Sequence, residues 1–390
     1  MSAPPSTPFE ELDAIDVPTL RRRRSAKWTA YPDDVIPAWV AEMDFPLAPP
    51  IRERLHEVIE LGDLGYPAAE RCGVREALTA WLARAQGWTV DPDAVLVLPD
   101  VMRGVELAIL AHTAPGDAIA VPTPVYPPFL SAVRTNGREL VEVPLRRDDT
   151  GFHPDLDGIE AAFTAGARML LLCHPHNPTG HLHDRDELAA IATIAARHGA
   201  VVLSDEIHAP LTLDGTPHTP FATVSEAAAA CAVTVTSASK AWNIPGLRTA
   251  FLICEREALL APILATPRVH HGCSIAGLEA SIAAFSRGEE WLATVLRLLE
   301  RNRGLLLDAA LPGVEIGEPR ATYLAWLDCR ALELPDGPFA FFLEHARVAL
   351  SDGMNFGLGG EGWVRLNFAT SLGVLEQILD RMAGALADRA

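Results

Sequence analysis

The sequence predicts an α/β fold: a large domain with a mostly parallel central sheet flanked by helices, plus a smaller α+β domain built from both termini. Three observations carry this expectation. Strand-like runs alternate with helical patterns through the middle of the chain. Several of those runs are continuously apolar, as strands covered on both faces are. At 390 residues the chain is too long for one small core and suits two domains.

The strand candidates, in order, are "VLVLP" (95–99), "AIAVPTP" (118–124), "RMLLLCHP" (168–175), "AVVLSDE" (200–206), "AVTVTSAS" (232–239) and "RTAFLIC" (248–254). A helix starting at Val101 is closed by Pro115-Gly116. Another, in "DRDELAAIATIAARHG", is opened by Asp184 and closed by Gly199. A long helical stretch is expected from about residue 275 to about 310, and a final amphipathic helix from Leu372 onward. The expected division is 1–45 as N-terminal arm and part of the small domain, 46–285 as large domain, and 286–390 as C-terminal small domain.

Charge narrows the function classes. With 32 basic against 51 acidic residues the net charge is −19, which argues against a broad nucleic-acid surface. The basic run Arg21 to Arg24 is too short to reverse that. No run approaches a membrane span, and the first residues lack the basic start and apolar stretch of a signal peptide. Six scattered cysteines form no CxxC pair; Cys173 and Cys254 sit in strand-like runs and read as reduced core residues. Together these features read as a cytoplasmic protein.

Among the 32 cations only Lys27 and Lys240 are lysines. A guanidinium stays charged, whereas an ammonium can lose its proton when buried and then attack a carbonyl. Lys240 follows a strand run, and other strand runs end in polar clusters: "HNPTG", "DEIH" and "TPVYPP". Ligands in such sheets bind beyond the C-terminal strand ends. Tyr126, Asn177, Asp205, His208 and Lys240 are thereby expected at one sheet edge.

That set meets the needs of a lysine forming a Schiff base with pyridoxal phosphate. The ring nitrogen needs a carboxylate, which Asp205 offers. The phenolate oxygen needs donors, Asn177 and His208. The ring needs a cover, Tyr126. The phosphate needs hydroxyls, a guanidinium and backbone amides: Ser237, Ser239, Arg248, and the amides near Val101 and Met102 at a helix start. Plainer readings exist for each: Asp205 and Glu206 as caps of the next turn, Asn177 as a turn residue in "NPTG", and Tyr126 as packing. His174, His176, His181 and His183 invite a metal reading. They straddle two turn signals with no carboxylate or thiolate at typical ligand spacing, so no metal is expected.

"HNPTG", "SDEIH" and "SASKAWNIPGLR" match, in order and spacing, the class I/II aminotransferase superfamily of fold-type I pyridoxal-phosphate enzymes, which the chain resembles over nearly its whole length. Within it the chain looks most like the MalY/PatB-like carbon–sulfur lyases, often called cystathionine β-lyases. "AWVAEMDFPLAPP" (38–50), the His208 of "DEIH" and "GWVRLNFA" (362–369) carry that narrower match. Glu42 departs from the usual aspartate of the first signature. "DVMRGVE" lacks the small Gly/Ser/Thr-rich phosphate loop of many aminotransferases, so backbone phosphate contacts are expected there.

The resemblance implies Lys240 as Schiff-base residue and the cofactor contacts given above. It adds Arg365 and the Ala41 backbone for the substrate α-carboxylate, and Tyr66 reaching into the neighbouring site of a homodimer. Read from the residues alone, Arg365 inside the apolar "WVRLNF" wants an anion, and an internal ion pair serves nearly as well. The implied reaction is β-elimination from cystathionine or an L-cysteine S-conjugate to pyruvate, ammonia and a thiol. Transamination of an amino acid is the alternative. Part of the substrate pocket is expected from "VHHG" (269–272), with His270 or His271 near the substrate.

Overall fold

The computed structural model describes residues 9–266 and 272–389. Its centre is a seven-stranded sheet in the order Val95–Leu98, Ala250–Ile253, Ala232–Thr236, Val201–Asp205, Met169–Cys173, Ala118–Thr123, Glu139–Pro144. Six strands run one way; Ala250–Ile253 is antiparallel to both its neighbours. All six sequence-derived strands are present. Glu139–Pro144 was not foreseen, because this edge strand is only partly covered and its "ELVEVP" lacks a continuous apolar run.

Side-chain alternation splits the sheet's burial between two layers. Met169, Leu171 and Cys173 pack with the helices Val101–His112 and Pro127–Thr135. Leu170 and Leu172 pack on the opposite side with Leu156–Thr164 and Arg185–His198. The last of these helices begins in a capping box, with Asp184 accepting from the Glu187 amide and Glu187 accepting from the Asp184 amide; it ends at left-handed Gly199.

A four-stranded antiparallel sheet, ordered Glu315–Ile316, Leu324–Asp328, Trp363–Asn367, Ser351–Asp352, forms a second unit. Ile36–Pro37 pairs with Val348–Ala349, tying the N-terminal region to it. We propose on this basis that residues 1–45 and 286–390 make up the smaller domain. The expected single helical stretch near 275–310 is two helices, Ile275–Arg287 and Glu289–Leu307. They part at Gly288, whose carbonyl accepts from Trp242 Nε1 at 3.0 Å and where a Cβ would stand 2.4 Å from that nitrogen. Among the described residues no helix is long and apolar enough to cross a membrane.

Candidate active site

Six parallel strands end at one edge of the central sheet. There, residues at or after the ends of five of them help to line a cavity of about 380 Å³, whose lining includes Ala41, Val101, Met102, Tyr126, Asn177, Asp205, His208, Ser237, Ser239, Lys240 and Arg248. Arg248 reaches this edge for a different reason from the others. It precedes the one antiparallel strand, so that strand's N-terminal end lies where the others' C-terminal ends do.

Lys240 and Asp205 both face the cavity. Lys240 Nζ donates to Ala41 O at 2.8 Å. Burial, and then the positive charge of Arg365, press its amine down to about 8, so an appreciable fraction is neutral near neutral pH. Asp205 ends its strand, and its Oδ1 accepts from the Ile207 amide at 3.0 Å. Burial pushes its carboxyl up to about 7, against the lowering pull of that amide and of Lys240. A buried amine and a buried carboxyl are thus both drawn toward neutral pH, a combination that marks functional sites.

His208 is buried, and its imidazole is held down at about 3 by burial and by the charges of Lys240 and Arg365. It is therefore neutral, and its Nδ1 has no partner. Its ring meets Tyr323 edge-on at 6.0 Å. Tyr323 donates its hydroxyl to Ala41 O at 3.0 Å, so that one carbonyl holds both Tyr323 and Lys240. Sequence reasoning missed Tyr323; its signal was only a tyrosine at the head of the apolar run "YLAWL".

The other end of the cavity gathers a helix N-terminus, an arginine and two serines. The helix Val101–His112 points its N-terminus here, capped by Asp100, whose Oδ1 accepts from the Arg103 amide at 2.9 Å. Arg248 has φ 56°, an uncommon conformation for a non-glycine residue, and its Nη2 meets Asp100 Oδ2 at 2.5 Å. Ser237 Oγ donates to Thr249 O at 2.7 Å and accepts from the Ser239 amide at 3.0 Å.

Arg365 lies in the middle of Trp363–Asn367 and is buried. Its Nη1 donates to Asn177 Oδ1 at 2.9 Å. Its Nη2 donates to Trp39 O at 2.8 Å and Ser351 Oγ at 3.1 Å. Those acceptors are neutral, Nε has none, and burial lowers the group to about 10. The internal ion pair that the sequence left open is not what holds it. A second chamber of about 820 Å³ brings Arg365 together with Tyr31, Trp39, Phe356 and the shared Ala41, Tyr126 and Lys240.

Among the predicted residues that are described, Tyr66 alone lies apart. It is fully exposed and borders a separate cavity of about 970 Å³ with Gly272 and Cys273. Val269, His270 and His271 of "VHHG" lie outside the described residues. The reading that no carboxylate stands at a typical ligand spacing from the loop histidines is corrected. Glu187, four residues after His183, sits 2.8 Å from His181 Nε2 and 2.8 Å from His153 Nδ1. The second lysine, Lys27, is structural: it is buried and pairs with buried Asp44 at 2.8 Å.

The model of the class I and II aminotransferases matches residues 45–382. The chain belongs to that family. It is 39% identical to the cystathionine beta-lyase of Corynebacterium glutamicum, over 97% of this chain and 100% of the relative. It is 34% identical to cystathionine beta-lyase PatB of Bacillus subtilis (strain 168), over 93% and 97%. Its fold superposes on the PLP-bound C–S lyase from Staphylococcus hominis with a TM-score of 0.88, at 27% identity and covering 97% of this chain and 98% of that one.

Proposed function

We propose that this protein is a pyridoxal-phosphate-dependent carbon–sulfur β-lyase that cleaves cystathionine or an L-cysteine S-conjugate to pyruvate, ammonia and a thiol. One observation carries the cofactor: an amine and a carboxyl, both shifted toward neutrality, face one cavity whose far end offers a helix N-terminus, two serines and an arginine. The residues present fit the group. The unpartnered Nδ1 of buried His208 adds a polar atom still in need of a partner. Lys240 would hold the aldehyde carbon, Asp205 the ring nitrogen, and Asn177 with His208 the phenolate oxygen. Tyr126 would cover the ring. Ser237, Ser239, Arg248 and the Val101 and Met102 amides would take the phosphate.

Pyridoxal phosphate, when bound, supplies an aldehyde for exchange with the substrate amine and a protonated ring that accepts electron density. The protein's residues do the rest. Asp205 holds the proton on the ring nitrogen. Arg365 and the Ala41 backbone fix the substrate carboxylate, which orients the Cα–H bond toward Lys240. Lys240, with its amine near 8, takes the Cα proton as general base, and a thiolate leaves from Cβ. Transamination would use the same residues. The lyase reading rests on the two curated relatives, which are cystathionine beta-lyases by name.

The protein is, in this reading, a cytoplasmic homodimer in which Tyr66 completes the neighbouring site. Full exposure of Tyr66 near exposed Ile59, Leu61 and Leu64 supports a covered face. The deciding experiment incubates the protein with cystathionine and a panel of cysteine S-conjugates and assays thiol and pyruvate. Keto acid formed only when an amino acceptor is present would replace the lyase reading with transamination.

A further inference from the structure

Three elements of the large domain, all earlier in the chain than Lys240, bring imidazoles and a carboxylate together. The short hairpin Arg146–Asp148 and Gly151–His153 supplies His153. The segment after Met169–Cys173 supplies His181 and His183, and the first turn of Arg185–His198 supplies Glu187. One ligand atom from each of His153, His181 and Glu187 lies within 4.8 Å of the other two. Each carboxylate oxygen faces one of those imidazoles: Oε1 to His153 Nδ1 and Oε2 to His181 Nε2, both at 2.8 Å.

Hydrogen bonding within the cluster leaves one member unexplained. His183 is 2% exposed, yet among the described residues neither ring nitrogen has a hydrogen-bond partner. Its Nδ1 stands 3.5 Å from Glu187 Oε2 and its ring is 4.7 Å from that of His181. A buried imidazole with two idle nitrogens, one directed at a carboxylate already shared by two others, is costly unless something else takes it up.

We propose that His153, His181 and Glu187 bind one Zn²⁺, and that His183, whose Nδ1 stands 3.5 Å from Glu187 Oε2, moves in as fourth ligand. Imidazoles with one carboxylate and no thiolate suit this ion. Zinc bonds of about 2.0–2.1 Å in a tetrahedron hold ligand atoms about 3.3 Å apart. The three ligand atoms lie within 4.8 Å of one another, so closing on the ion needs shifts of at most about 1.5 Å. Glu187 also accepts from the Asp184 amide at 3.1 Å, which orients the carboxylate from outside the cluster. The ion pins the hairpin to the segment 174–183. That segment carries Asn177, the acceptor for Arg365. Zinc is therefore a positioning element for the candidate site and takes no part in bond making.

The test is isothermal titration of the pyridoxal-phosphate-loaded protein with Zn²⁺, alongside Co²⁺ substitution read by ligand-field absorption. The expected result is one saturable equivalent per chain and a four-coordinate cobalt spectrum. His153→Ala, a change at a partly exposed hairpin end, should lower the Zn²⁺ affinity at least ~10-fold and remove the cobalt bands. His181→Asn, which keeps a hydrogen-bonding side chain, should do the same. Absence of a saturable equivalent overturns the proposal. So does an equivalent whose affinity and cobalt spectrum survive both substitutions. Neither readout depends on turnover, so failure here leaves the lyase reading untouched, and the reverse also holds.

Discussion

Asp205→Asn should separate stability from activity. The Asp205 carboxyl stands at about 7 against an ordinary 3.8. Between those values the folded chain keeps a proton that the unfolded chain has released, so native stability falls as pH rises from about 4 to about 7 and levels off above. At 1.36 kcal/mol per unit, the full difference is about 4 kcal/mol. Asparagine never ionises, and its Oδ1 can keep the Ile207 amide bond seen at 3.0 Å. In protein stripped of pyridoxal phosphate, the substitution should therefore stabilise by up to about 4 kcal/mol at pH 8 and by almost nothing at pH 4. Loss of the charge that supports the Lys240 cation trims this figure, which makes it a ceiling. With an unfolding entropy of about 2.1 cal/mol/K per residue over 390 residues, the gain at pH 8 is at most ~5 °C in Tm. The loaded variant, lacking the charge that keeps the ring nitrogen protonated, should lose about 10²–10³-fold in turnover. Paired thermal melts at the two pH values, with a pyruvate assay on loaded protein, test both halves. A melting temperature no higher than the native one at pH 8, or a gain that is the same at pH 4, would refute the burial argument. Undiminished turnover would refute the assignment of Asp205.

Other outcomes follow from the same geometry. Lys240→Arg keeps a cation but no removable proton, and pyruvate release should fall at least ~10²–10⁴-fold; a variant with native turnover removes the base from the scheme. Arg365→Lys loses the planar fork held by Asn177, Trp39 and Ser351, and kcat/KM should drop ~10–100-fold, mainly through KM. Lys27→Met strips buried Asp44 of its cation, leaving only Trp28 Nε1 at 2.7 Å as side-chain donor. It should cost about 3–5 kcal/mol, with Asp44→Asn in the same chain restoring part of the loss in urea unfolding.

The strand runs were legible because burial on both faces writes continuous apolar segments, and their polar ends marked the site edge. The Asp184 cap and Gly199 stop were legible for equally local reasons. Glu139–Pro144 was not, since an edge strand need not be apolar throughout. The break at Gly288 carried local signals, with Arg287 before it and Glu289 and Glu290 after it, but its contact with Trp242, 46 residues earlier, did not show.

By itself the sequence determined which residue types stand at strand ends, and so named Lys240, Asp205, Asn177 and His208. Only the tertiary structure decided what those residues meet. Ala41 is 199 positions from the Lys240 amine it anchors, and Asn177 is 188 from Arg365. The antiparallel course of Ala250–Ile253 delivers Arg248, and the hairpin delivers His153 to Glu187. The physical reason is one of range. Burial and dihedral preferences act within a few residues and leave a period in the sequence. Apposition across the fold is the sum of packing over the whole core, which no short window contains.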